Sequence, residues 1–81
     1  MQSVASILAR FPHRELDIRR RCAADRAFRA ICADYDEAAR ALRRWREKGA
    51  EGVRQAGDYE ALLEELESEI LAHLGAPVRN G

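Results

Sequence analysis

Cys22, Cys32, His13 and His73 are the side chains that could join in a four-ligand zinc site. Their spacing follows no compact pattern such as C-x-x-C. On one continuous helix, Cys22 and Cys32 would stand about 15 Å apart, beyond a shared metal or a disulfide. A bend near Asp25 would change that distance without restoring a ligand pattern. Cys32 is therefore read as a small apolar packing residue. His13 falls near a helix start and His73 near a helix end, which suits residues of cap regions. Nothing supplies a third group to orient a Cys–His or Glu–His pair. No metal site, cofactor, small-molecule substrate or enzymatic activity is expected.

Arg19, Arg20 and Arg21, with Arg10, Arg14 and Arg26, form the strongest charge cluster. Arg14, Arg19, Arg20 and Arg21 are the candidate anion patch, for RNA, phospholipid or an acidic partner. Three consecutive helical positions spread through roughly 200° of arc, so they cannot all face one ligand. Glu15 and Asp17 lie four residues before Arg19 and Arg21, and no aromatic residues interleave for base stacking. The solvated-face reading is the stronger one.

The candidate protein-binding surface is apolar. Leu16 and Ile18 are two residues apart and point about 200° apart on a helix, so one can serve the core and the other a partner. That surface would comprise Val4, Ile7, Leu8, Phe11, Leu16 and Ile18. Trp45 and Tyr59 flank a glycine-bearing loop and are expected to seal that end, with Val53; a partner-binding tip is the sharper alternative.

These residues need elements to hold them. The chain has 81 residues, 47% apolar and 35% charged, with 14 basic and 14 acidic side chains. Fifteen of the apolar residues are alanine, so large side chains can line a few helix contacts but cannot surround a large cofactor. Zero net charge argues against a dedicated nucleic-acid binder. No run approaches the roughly 20 apolar residues of a membrane span. Met1–Leu8 lacks a basic n-region and a long apolar core, so no secretory signal is read there. A reducing cytoplasm is the expected location.

Glycine and proline set the divisions. A short helix over 1–11, with Ser3 as N-cap, places Val4, Ile7, Leu8 and Phe11 on one face. Pro12 opens a helix over 12–23. A break is favoured near Ala24–Asp25, with Asp25 capping a long helix over 25–48. Phe28, Ile31, Tyr35, Ala38, Leu42 and Trp45, spaced 3, 4, 3, 4 and 3, repeat as a narrow packing seam. The charged residues between them, Asp36 included, are assigned to a solvated face. Asp25–Arg29, Asp36–Arg40 and Arg43–Glu47 are the expected i,i+4 pairs. Gly49, Gly52 and Gly57 mark a loop over 49–57. Asp58 is read as the cap of a last helix over 58–74, with Tyr59, Leu62, Leu63, Leu66, Ile70, Leu71 and Leu74 as its stripe. Gly75 and Pro77 close it.

The two stripes span about 26 Å and about 22 Å, so they match in length. The loop requires antiparallel packing, with opposed residues numbered to sum to about 104. Residues 1–48 carry net charge +5 and residues 49–81 net −5, which favours the same pairing. The expected fold is all-α: an antiparallel, coiled-coil-like helical hairpin with one or two short N-terminal helices packed on it. Either the N-terminal apolar residues fold back as a third layer or a second copy covers the hairpin. A small interaction module follows as the expected function, with itself, as a homodimer, or another protein as partner.

The run Phe11-Pro12-His13-Arg14-Glu15-Leu16, the break near Asp25-Arg26-Ala27-Phe28, the Tyr35–Trp45 helix, the glycine-bearing loop and the closing Tyr59–Leu74 leucine helix fall in a familiar order. The order resembles the YdcH-like family of small bacterial helical-hairpin proteins, over about residues 11–74. The longer N-terminal segment and the arginine bias depart from that pattern. The resemblance implies a short hairpin, no established biochemical activity and no catalytic residues.

Overall fold

The structure, a computed structural model, describes residues 4–75. Ser3 and Pro77, expected as cap and stop, lie outside the described residues. Four α-helices follow in order: α1 Ala5–Arg10, α2 Glu15–Ala24, α3 Arg26–Glu47 and α4 Val53–His73. Short 3-10 turns at Pro12–Arg14 and Gly49–Gly52 join α1 to α2 and α3 to α4. No strand occurs among the described residues.

α3 and α4 form the antiparallel hairpin, as the matched stripes require. Cross-hairpin contacts fix the register. Arg46 meets Glu60, Tyr35 meets Glu67 and Phe28 meets His73, pairs whose numbers sum to 106, 102 and 101. The expected sum was about 104. The exposed Arg46–Glu60 pair at 2.6 Å tunes orientation, at about 0–1 kcal/mol. Burial of the seam is the larger contribution, at roughly 1.5–3 kcal/mol for each large apolar side chain.

The chain breaks at Asp25, which is extended at φ −134° and ψ 106°. Its carboxylate accepts the Phe28 backbone N–H at 3.2 Å, the N-cap bond that starts α3. Asp25 pairs with Arg21 at 3.5 Å, not with Arg29. Arg29 instead donates to the Cys22 carbonyl at 3.1 Å, across the break. The end of α2 is thereby tied to the start of α3.

The N-terminal residues fold back as a third layer. Ile7 and Ile18 are fully buried, and Val4, Leu8 and Phe11 pack against the same core. Ser6 Oγ and its backbone N–H both donate to Asp36, at 2.7 and 3.3 Å. Arg40 pairs with Asp36 from the other side at 2.9 Å. Asp36 is therefore buried, not part of a solvated face, because α1 lies over it. A carboxylate out of water needs this full set of partners.

The connection between α3 and α4 is shorter than a 49–57 loop. α4 begins at Val53, and Gly57 sits inside it. Asp58 is an interior helical residue and caps nothing. Gly49 takes φ +63°, the left-handed conformation that ends α3. Gly52 lies against the Trp45 carbonyl, so no Cβ fits there. Gly57 has open space around it and fills neither role. Buried Ala56, next to it, joins the core and holds this extra turn helical.

Candidate functional site

The expected apolar surface separates into core and solvent. Ile7 and Ile18 are inside, and Val4, Leu8 and Phe11 are half-buried against the hairpin. Leu16 alone faces outward, 60% exposed. These six residues do not make one docking face, because the third layer uses five of them. Leu16 and Ile18 face opposite ways, as their two-residue spacing on a helix requires, and Ile18 is the inward one.

The four arginines of the anion patch also separate. Arg14 pairs with Asp17 at 3.0 Å and reaches the Leu74 carbonyl at 3.5 Å. Arg19 pairs with Glu15 at 2.9 Å, and Arg21 with Asp25. Arg20 makes no ion pair among the described residues. It borders an open cleft with Asp17, Arg21, Ala24, His73 and Leu74. Carboxylates neutralise three of the four cations, so no concentrated positive surface is built.

At the loop end, Trp45 and Tyr59 are half-buried against the core, and the Lys48 ammonium lies 5.6 Å from the Trp45 ring centre. Val53 does not help to seal this end, being 66% exposed. Ala56 takes the inward position one turn later.

The surface that sequence reading missed lies between α3 and α4. Asp34, Glu37, Ala38, Ala41 and Arg44 line it from α3, and Tyr59, Leu62 and Leu66 from α4. Helical spacing aligns these positions on each helix. Ala38 and Ala41 make a low floor, and Leu62, 40% exposed, stands at the rim. Asp34, Glu37 and Arg44 make no ion pair among the described residues. Arg44 lies seven residues from Glu37, about 10 Å along the helix axis. The groove thus presents acid at one end, base at the other and apolar surface between. Alanines drew attention only where the seam repeat required them, so Ala41 gave no signal.

The cysteines are brought together. The break at Asp25 removes the single-helix geometry that would have kept them about 15 Å apart. Cys22 and Cys32 are both free and both buried, within the same core cluster. His73 is directed elsewhere, its ring centre 5.7 Å from that of Phe28. No cluster of three or more His, Cys, Asp and Glu side chains able to hold a metal occurs among the described residues.

Two core protons set an alkaline limit on the fold. Burial, helped by Cys22, pushes the Cys32 thiol from 9.0 up to about 12. Burial also raises the Tyr35 hydroxyl, which donates to Glu67 at 2.6 Å. Arg10 shares the same Glu67 oxygen at 3.1 Å. Both acids hold their protons more tightly folded than unfolded. Their stabilisation is fully present below about pH 9 and is lost as pH rises through the folded values. The urea midpoint is expected to fall steadily from pH 9 to 12, and less steeply in Cys32→Ala. A midpoint unchanged over that range would refute this coupling.

No protein-family model matches the chain, and no curated protein or solved structure shows significant similarity to it. No helix among the described residues is long and apolar enough to cross a membrane.

Proposed function

We propose that this chain is a non-enzymatic helical interaction module that self-associates through the groove between α3 and α4. The observation that carries the reading is the open face of the hairpin. One face is covered by α1 and α2, while the other leaves Leu62 at the rim of an alanine-floored groove with unpaired charges of both signs. The occupant is a second copy. A two-fold axis near Ala38 and Ala41 sets Arg44 of each copy against Glu37 and Asp34 of the other. A contact of this kind is self-complementary and occurs twice. Small residues at the crossing let two helices approach to about 8 Å. The YdcH-like order of elements and a cytoplasmic location belong to the same reading. Anion binding has less support, since only Arg20 of its four arginines is without an ion pair among the described residues.

Light scattering on a sizing column at low micromolar concentration is expected to give twice the 9.2 kDa chain mass. Leu62→Glu should give a monomer with unchanged helical circular dichroism, because the side chain is half in solvent. Arg44→Glu should weaken the dimer at least tenfold, and Glu37→Arg in the same chain should restore much of it. A monomeric wild-type chain would sink the proposal, as would a dimer indifferent to Leu62→Glu.

A further inference from the structure

We infer that the cleft between α1 and α3 binds a small organic phosphate, with Arg10, Arg40 and Arg43 around the phosphate and Ala9 and Ala39 under its apolar part. None of these residues lines the groove between α3 and α4, so the two readings stand or fail separately. The cleft has a volume of about 710 Å³, a size that suits a small organic ligand. Its three guanidinium groups come from two helices. Arg10 ends α1, and Arg40 and Arg43 stand about one turn apart on α3.

Two of the three cations are held in place from behind. Arg40 Nε pairs with Asp36 at 2.9 Å, and Asp36 is itself buried and bound by the Ser6 hydroxyl and backbone N–H. Arg10 Nε pairs with Glu67 at 3.1 Å, and its guanidinium carbon lies 4.9 Å from the centre of the Phe11 ring. Both pairs use Nε, which leaves the Nη groups of each guanidinium for a second acceptor. Arg43 is exposed and makes no ion pair among the described residues. A guanidinium already fixed by a carboxylate loses little freedom on binding, and its planar donors match phosphate oxygens. Ala9 and Ala39 end at Cβ, so the cleft keeps apolar room beside the cations. The patch of Arg14, Arg19, Arg20 and Arg21 differs. Only Arg20 and Arg21 of that patch share a cleft, and the half-exposed Asp17 carboxylate beside them repels an anion. Asp36 and Glu67 offset two of the three cations around the α1–α3 cleft, so a dissociation constant in the high micromolar to millimolar range is expected.

The test titrates phenyl phosphate into the isotope-labelled full chain at physiological salt and follows backbone amide shifts. The shifts should saturate and concentrate in residues 5–10 and 39–43. Inorganic phosphate should bind several-fold more weakly, because nothing then rests on Ala9 and Ala39. Arg43→Glu should weaken phenyl phosphate binding by about tenfold or more, since it removes one charge-assisted contact and adds repulsion. Helical circular dichroism should be unchanged in this variant, because the side chain is exposed and unpaired among the described residues. Arg20→Glu makes the same change of charge outside the cleft and should bind within about twofold of the wild type. Shifts that never saturate, or that spread evenly over the arginine-bearing helices, would overturn the inference. So would equal affinities for inorganic phosphate and phenyl phosphate, or equal losses in Arg43→Glu and Arg20→Glu.

Discussion

Gly52→Ala is expected to destabilise the hairpin by about 3 kcal/mol, at the upper end of what forced overpacking costs. A Cβ at this position would lie 2.1 Å from the Trp45 carbonyl oxygen and 3.0 Å from its carbonyl carbon. Both are backbone atoms, so no side-chain rotation relieves the clash. The Trp45 carbonyl also accepts the Lys48 backbone N–H at 3.1 Å, which holds the end of α3 in place. Opening that turn would pull α4 away from α3 at its first residues. For 81 residues the whole stability is of the order of 4–12 kcal/mol, so this one methyl removes a large share. Gly57→Ala should act in the opposite direction, stabilising by about 0.5–1 kcal/mol. It is an exposed helical position with no atom within 4 Å of the added Cβ. Urea titration of both variants reads the two signs. Equal midpoints for Gly52→Ala and the wild type would mean that the turn is built differently.

Those two glycines show where sequence reading reached its limit. Three glycines in nine residues look alike as punctuation, and a loop over 49–57 follows. Only two of them meet a backbone demand, Gly49 through its positive φ and Gly52 through close approach. That difference arises from where the Trp45 carbonyl lies, which no local pattern encodes. The long-range pairing of α3 with α4 was legible because period, stripe length and charge all pointed to one register. Phe28, Tyr35 and Leu42 are buried where the repeat put them.

The candidate site was less legible, for two physical reasons. The groove depends on which face of the hairpin α1 and α2 cover, and that follows from the direction taken at Pro12 and Asp25. The burial of Cys22 and Cys32 in one core cluster depends on the angle of the same break. A cap residue signals that a helix starts at Asp25, but it carries no information on how sharply the chain turns. Asp36 was misplaced for a related reason. Its spacing to Arg40 is that of an exposed pair, and only Ser6, thirty residues earlier, converts it into a buried junction.

Phe28→Ala is the other large expected effect, a loss of about 3–5 kcal/mol. Phe28 heads the fully buried side chains by volume. It stands at the first turn of α3, where its own backbone N–H is the donor in the Asp25 cap. Its ring lies tilted at 55° to that of His73, at the last turn of α4. The side chain therefore fills the end of the hairpin opposite the loop, where the break after α2 and the close of α4 converge. Truncation leaves a cavity that α2 cannot collapse into while Arg29 and Asp25 hold its end. Compared with a total of about 4–12 kcal/mol, such a loss leaves little folded chain at moderate denaturant. Leu16→Ala, which removes an exposed apolar side chain on the adjoining helix, should change stability by no more than about 0.5 kcal/mol. Urea midpoints of the two variants, followed by circular dichroism, give the comparison. A loss below 1 kcal/mol for Phe28→Ala would mean that the core does not close over this ring, and the third layer would then have to pack elsewhere.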